Sequence, residues 1–244
     1  MTTFEAAVDF AMDEQLDAEI ASAARLLASA RHTVALTGAG LSVESGIPPF
    51  RGKGGLWTKH GEPPLDGFQR FLHDPRKAWE ERLSPNEPWL VALIETLSQA
   101  KPNAGHVALA ELERLGCCDC VITQNIDDLH RQAGAEHLLE IHGNHRLLRC
   151  LDCVTRFDPD EITIDPEKLP PQCPRCGGVV KGDTVQFGEP IPPDVLRSGG
   201  NVIEVNPEPT ELTALATHSL QGPGGAVLER FLHHLAPLRK ERGS

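Results

Sequence analysis

The stretch that decides the fold is Ala35-Leu36-Thr37-Gly38-Ala39-Gly40-Leu41-Ser42-Val43-Glu44-Ser45-Gly46-Ile47-Pro48-Pro49-Phe50-Arg51-Gly52. Its approach, Thr33 to Thr37 (TVALT), is short, apolar and β-branched, as a buried central strand of a parallel sheet would be. Gly38 and Gly40 then let the backbone come close to a ligand, and a helix starting there would aim free N–H groups at a phosphate. Glycine pairs after strands also serve as plain turns, so the stretch alone leaves both readings open. The spacing departs from the usual dinucleotide fingerprint, because Val43 stands where a third glycine belongs. No second strand ending in an acidic residue follows about twenty residues later. Both points disfavour a hydride-transferring dehydrogenase.

Outward from that stretch, 244 residues suffice for one large domain, alone or with a small insert. The formal net charge of −12 disfavours a nucleic-acid partner, which would call for a basic face. It is compatible with a basic, lysine-bearing partner, although an acidic surface also serves solubility. The first thirty or so residues lack the apolar segment of a signal peptide, and no run is long enough to span a membrane. The expectation is a cytoplasmic protein. Its seven cysteines are odd in number and clustered, unlike a secreted disulfide framework.

Residues 13 to 30 read as an amphipathic cover helix with Leu16, Ile20, Ala23, Ala24 and Leu27 on one stripe. The loop from Gly52 to Pro64, holding Trp57, reads as a lid or a connector. Residues 65 to 100 read as helical, and Asn103 as the cap of a helix from Ala104 to Leu115 that Gly116 ends. Asp119 to Thr123 (DCVIT) is a second strand, leading into Gln124-Asn125-Ile126-Asp127. Polar residues at the carboxyl end of a parallel strand sit where α/β proteins bind ligands. Asn125 and Asp127 suit a ribose or an amide, and helix capping accounts for Asp127 equally. Cys117, Cys118 and Cys120 fit no standard metal spacing and read as small buried residues. Leu138 to Ile141 (LLEI) is a third strand, ending in His142-Gly143. A histidine there is placed for proton transfer near neutral pH, although most of the eleven histidines will be structural.

Cys150-Leu-Asp-Cys153 and Cys173-Pro-Arg-Cys176 are the most specific signal in the chain. Two such knuckles set four thiolates tetrahedrally around zinc. With all four positions filled by cysteine, the metal is expected to be structural, holding a module without a core of its own. Beyond it, Asp183 to Phe187 (DTVQF) and Asn201 to Val205 (NVIEV) read as strands, and Thr217 to Leu220 as a last short one. A terminal helix carries Leu228, Phe231, Leu232 and Leu235.

Taken together, GAGLSVESGIPPFRG, TQNIDDLH, EIHG, the paired knuckles, QFGE and VNPE resemble the sirtuin family of NAD-dependent protein lysine deacylases, over about residues 31 to 238. The resemblance implies an α/β fold: a Rossmann-like parallel sheet with a small inserted zinc-ribbon plus helical domain. Residues 1–56, 104–145 and 183–244 would form the NAD-binding domain, 57–103 a helical insertion or lid, and 146–182 the zinc module. It further implies that Gly38, Ala39, Gly40 and Ser42 cradle NAD phosphates and ribose. Phe50 would cover the nicotinamide side, with Arg51 close to the cofactor. Gln124, Asn125 and Asp127 would bind the nicotinamide ribose and amide, Asn125 working beside His142, the general base. Phe187, Gly188 and Glu189 would pair with the backbone of an acetylated-lysine substrate as an added strand. Asn206 and Glu208 would hold the adenosine end, and Cys150, Cys153, Cys173 and Cys176 the zinc. In the family's reaction the acyl oxygen attacks the nicotinamide ribose, nicotinamide leaves, and the acyl group ends on ADP-ribose.

Three departures from the family pattern stand out. Pro49 replaces the usual Asp or Thr. The chain has no tyrosine, hence no Tyr-x-x-Arg pair for acidic acyl groups, and Trp79-Glu80-Glu81-Arg82 is a poor substitute; acetyl is the expected acyl group. The third departure is the interval Gly188 to Gly200, too short for the strand, Gly-Thr-Ser loop, substrate-clamping loop and helix that the family carries there. A parallel crossover needs about a dozen residues, normally with a helix. Sheet and site are expected to suffer unless the strand order differs. Mono-ADP-ribosyl transfer, an inactive NAD- or zinc-binding module, and a zinc-ribbon nucleic-acid binder are the other readings the residues allow.

Overall fold

The computed structural model describes residues 3–52, 54–189, 203–210 and 213–240. Helix α1 (Thr3–Ser29) leads to strand β1 (Val34–Thr37) and a 3-10 helix (Ala39–Ser45). Four helices follow: α2 (Leu56–His60), α3 (Gly67–His73), α4 (Pro75–Leu83) and α5 (Pro88–Gln99). Residues 65 to 100 are largely helical as read, in separate helices, since Pro75 and Pro88 each sit in the first turn of a new one. Helix α6 (Ala104–Arg114) starts where expected. The Asn103 side chain accepts from the N–H groups of Gly105 and His106, which satisfies orphan donors of the first turn.

Strand β2 (Cys120–Thr123), helix α7 (Leu129–Gln132) and strand β3 (Leu138–Glu140) come next. β1, β2 and β3 form one parallel sheet in that order, with Thr37 opposite Thr123 and Thr123 opposite Glu140. The carboxyl ends of the three strands, and the loops that leave them, therefore share one edge. Strand β4 (Leu148–Cys150) lies antiparallel between β5 (Arg156–Phe157) and β6 (Val180–Gly182). Strand β7 (Ile203–Asn206) pairs in parallel with β8 (His218–Gln221), and helix α8 (Gly224–Lys240) follows.

Two of the three hydrophobic clusters among the described residues tie most of these parts together. Ile20, Ala24, Leu109, Val121, Leu220, Phe231 and their neighbours join α1, α6, α8 and strands from both parallel sheets. Phe71, Trp79, Leu148, Phe157 and Val180 join α3 and α4 to the small antiparallel sheet. The Trp79 indole N–H donates to the Val180 carbonyl at 2.8 Å, which satisfies the one polar atom of a side chain only 1% exposed.

Several expectations need correction. Asp183 to Phe187 is not a strand: the pairing stops at Gly182. The buried Lys181 ammonium donates to the carbonyls of Gly182 and Thr184, which bends the chain back toward β6 just past its end. DTVQF and NVIEV are therefore not sheet neighbours. Residues 190–202, which include Asn201 and Val202, lie outside the described residues. The parallel sheet is divided: among the described residues no ladder joins β1 to β7. Nor is β1 the buried strand its sequence suggests. Val34 and Leu36 are 55% and 59% exposed, because nothing among the described residues covers that face. Ala35, by contrast, packs against the main core. Cys117 and Cys118 are buried as read, and burial pushes the Cys118 thiol up.

Candidate functional site

The loops leaving β1, β2 and β3 meet in a knot of buried polar side chains. Ser42, on the 3-10 helix after β1, is 1% exposed. Its hydroxyl donates to Asp127 Oδ2 at 2.6 Å and accepts from Asn125 Nδ2 at 3.0 Å. Asn125 Nδ2 also donates to the Gly38 carbonyl at 3.1 Å. Asp127 Oδ1 accepts from the Leu129 N–H at 3.0 Å, so Asp127 both caps α7 and orients Ser42. Of the two roles left open by the sequence, the helix-end contact is the one this geometry displays. Gly38 caps the 3-10 helix without a side chain, and Gly40 has no heavy atom within 4 Å of where a Cβ would stand. The backbone there is open to approach.

His142 follows β3. Its Nδ1 lies 2.9 Å from the Gln124 carbonyl oxygen. A carbonyl only accepts, so Nδ1 carries the proton and the neutral ring presents Nε2 as its basic nitrogen. Gly143, next in the chain, has φ of +74° and packs against the Asp183 backbone.

Around the mouth of the site, Phe50 and Trp57 have ring centroids 5.0 Å apart, and Trp57 and Phe187 5.7 Å apart. These rings link the glycine stretch, α2 and the segment after β6. The Gly52–Pro64 loop is thus neither bare lid nor bare connector, since it carries α2 and this aromatic contact. Arg51 lies 4.8 Å from the Trp57 centroid and pairs with Glu62 at 3.1 Å. Residues Gln186 to Glu189 form a turn, with the Glu189 N–H donating to the Gln186 carbonyl. The Phe187 carbonyl accepts from the Phe68 N–H. The Glu189 side chain points away from the mouth to Lys181, at 3.1 Å, and to Arg149. Burial pushes the Lys181 ammonium down, opposed by Glu189. Asn206 and Glu208 lie at the end of β7 and just past it, on the separate two-stranded sheet.

Asp183 anchors this region to the small module. Its carboxylate, fully buried, accepts from the Asn144 N–H at 2.9 Å and pairs with Arg156 at 3.0 Å and Arg149 at 3.3 Å. Burial pushes that carboxyl up, and the two guanidiniums oppose the push.

The four knuckle cysteines come together as expected. Their sulfurs all lie within 4.8 Å of one another, with Cys150 and Cys176 at 3.5 Å and Cys153 and Cys173 at 3.7 Å. A tetrahedron with Zn–S bonds of about 2.3 Å has edges of about 3.8 Å. The residues fit zinc.

Four polar residues at the knot escaped the sequence reading: Thr37, Thr123, His106 and His130. His106 Nδ1 accepts from the Asn103 N–H at 3.3 Å, and its Nε2 stands 3.5 Å from Ser42 Oγ. Thr37 Oγ1 lies 2.8 Å from both Thr123 Oγ1 and His130 Nε2. The one available signal was position: both threonines end strands of the same sheet.

Comparison with known proteins agrees with this geometry. The model of the Sir2 family matches residues 38–206. An NAD-dependent protein deacylase 1 of Archaeoglobus fulgidus is 37% identical, over 92% of this chain and 98% of that protein. An NAD-dependent protein deacylase of Aeropyrum pernix is 40% identical, over 85% and 94%. The first alignment runs over 259 positions against a chain of 244 residues, so it places relative-only residues opposite gaps in this chain. Among solved structures, a Sir2 homolog–NAD complex has a TM-score of 0.67 at 36% identity, covering 89% of this chain and 94% of that one. A Sir2–p53 peptide–NAD+ complex has a TM-score of 0.63 at 29% identity, covering 87% and 97%.

Proposed function

The chain belongs to the Sir2 family, and from that premise we propose that it removes acetyl groups from protein lysines in an NAD-dependent reaction. The observation that carries the reading is the Ser42–Asn125–Asp127 knot lying beside a histidine whose tautomer is set by Gln124. NAD supplies a glycosidic bond whose cleavage drives acyl transfer to ADP-ribose.

The chain's own residues have these tasks in the proposal. Gly38, Ala39 and Gly40 admit the phosphates at the open backbone, and Ser42 stands at the ribose. Asn125 and Asp127, held by Ser42 and the α7 N-terminus, present fixed polar groups to the nicotinamide end. Because these groups already satisfy one another, they hold a fixed polar surface before any ligand arrives. Phe50 covers the nicotinamide side and, in contact with Trp57, which meets Phe187, keeps water out. Arg51 lends its charge near the cofactor. His142, carrying its proton on Nδ1, accepts a ribose hydroxyl proton at Nε2. The turn at Phe187, Gly188 and Glu189 contacts the substrate backbone, with Glu189 pinning the turn to Lys181 and Arg149. Asn206 and Glu208 receive the adenosine end. The Cys150, Cys153, Cys173 and Cys176 set holds zinc and takes no part in the chemistry, since four thiolates leave no open position. The substrate is an acetylated-lysine protein or peptide, in line with the peptide complex among its structural relatives. Among the described residues no helix is long and apolar enough to cross a membrane. A cytoplasmic location remains part of the proposal, and so does the lack of a nucleic-acid partner, which the net charge of −12 supports.

The test is His142→Ala. Deacetylation of an acetyl-lysine peptide should fall by about 100-fold or more, the usual worth of a general base. ADP-ribose binding should persist. Retention of most of the activity would remove His142 from the role of base.

A further inference from the structure

His130 is 2% exposed and sits on α7, directly behind the knot. The groups facing it are Thr37 on β1, His106 on α6 at a ring distance of 4.9 Å, and Asp127 on the loop after β2. Its Nε2 lies 2.8 Å from Thr37 Oγ1, while its buried Nδ1 has no hydrogen-bond partner.

The proton order follows from the bare nitrogen. If Thr37 donated to Nε2, the ring proton would sit on Nδ1, buried without an acceptor. An orphaned buried N–H is rarer and costlier than an orphaned acceptor. Nε2–H therefore donates to Thr37 Oγ1. The Thr37 hydroxyl then donates to Thr123 Oγ1 at 2.8 Å. Thr123 Oγ1 also accepts the Asn125 N–H at 3.0 Å. One chain of hydrogen bonds thus runs from His130 across the tips of β1 and β2 to the Asn125 backbone. Gly38, whose carbonyl takes the Asn125 side chain, immediately follows Thr37. Both ends of Asn125 are thereby referred to the tip of β1.

We propose that His130 is a positioning residue: as a neutral Nε2–H donor it fixes Thr37, and through Thr37 and Thr123 it sets Asn125 for the nicotinamide end of the site. The proposal rests on the reading that Asn125 faces nicotinamide. A neutral ring suits the task, because a second proton would reach Nδ1, which has nothing to receive it.

Two measurements test it on the full chain. Nitrogen-15 NMR of the wild-type histidines at neutral pH should show His130 neutral and protonated on Nε2. A ring protonated on Nδ1, or cationic, would overturn the proposal, whatever the protein's activity. The second measurement compares His130→Leu with His130→Gln, whose amide N–H reaches the place of Nε2. In H130L, nicotinamide inhibition should weaken by about tenfold, the worth of one buried hydrogen bond to a positioned group. ADP-ribose affinity should stay within about threefold, because the Gly38–Ser42 backbone remains. H130Q should recover most of the lost inhibition. Equal loss of both ligands in H130L, or an H130Q no better than H130L, would overturn it. If H130L fails to fold, H130Q and the tautomer decide. A wild-type chain that binds neither ligand would instead sink the parent reading, and the tautomer would still settle the proton order.

Discussion

Gly143→Ala should be the most damaging methyl group that can be added beside the site. At φ of +74° a non-glycine residue carries strain of about 1–2 kcal/mol. The new Cβ would also stand 2.0 Å from the Asp183 carbonyl oxygen and 2.7 Å from its carbon, where ordinary contact begins near 3.4 Å. That obstacle is backbone, and it is pinned. The Asp183 N–H is bonded to the Leu147 carbonyl, and its carboxylate is tied to Asn144, Arg149 and Arg156. Relief by more than an ångström must therefore displace either this anchor or His142. Overpacking of a rigid site adds about 1–3 kcal/mol. The total, about 2–5 kcal/mol, corresponds to a melting point lower by about 4–20 °C in a domain of this size. A shift of about 1 Å at a reacting group costs about 100-fold in rate. Gly134→Ala is the control: its φ of +97° carries the strain, yet nothing lies within 4 Å of its Cβ. Thermal unfolding and peptide deacetylation of the two variants form the assay. If G143A melted and turned over like G134A, the clash with Asp183 would not exist in solution, and the argument would be wrong.

Three further outcomes follow from the same geometry. Burial, with His106 alongside, pushes His130 down to about 4 from its ordinary 6.5. The folded state therefore binds fewer protons than the unfolded state between these values. Stability should be complete above about pH 6.5 and decline by about 3 kcal/mol as pH falls toward 4, with His106 and His145, also lowered by burial, adding in the same direction. Denaturant unfolding across that range checks it, and a flat profile would contradict it. Removal of zinc by a chelator should unfold the β4–β6 module, because its sulfurs hold together strands of two or three residues; circular dichroism unchanged by the chelator would count against a structural metal. His142→Ala should lose deacetylation while still binding ADP-ribose by calorimetry.

Local features were legible in the sequence wherever chemistry and spacing coincide. The knuckle cysteines, the Asn103 cap and the strand-then-glycine turn at Thr37-Gly38 all appear where the residues put them. What the sequence hid depends on distant partners. DTVQF alternates like a strand, yet Lys181 donates to the carbonyls of Gly182 and Thr184, and Asp183 turns into a buried ionic cluster. TVALT reads as a buried strand, yet burial needs a covering element, and Val34 and Leu36 lack one among the described residues. The sheet's division between β1 and β7 agrees with the short interval after Gly188, whose consequence was foreseen but whose form was not. Thr37, Thr123 and His130 meet because three separate segments converge, and no spacing along the chain records that.

The central claim is that this knot of side chains couples NAD cleavage to lysine deacetylation. Mass spectrometry of the wild-type chain with NAD and an acetyl-lysine peptide tests it directly. Equal amounts of nicotinamide, deacetylated peptide and acetylated ADP-ribose are expected, and no nicotinamide without the peptide. Nicotinamide released without peptide, or ADP-ribose found attached to protein, would contradict it.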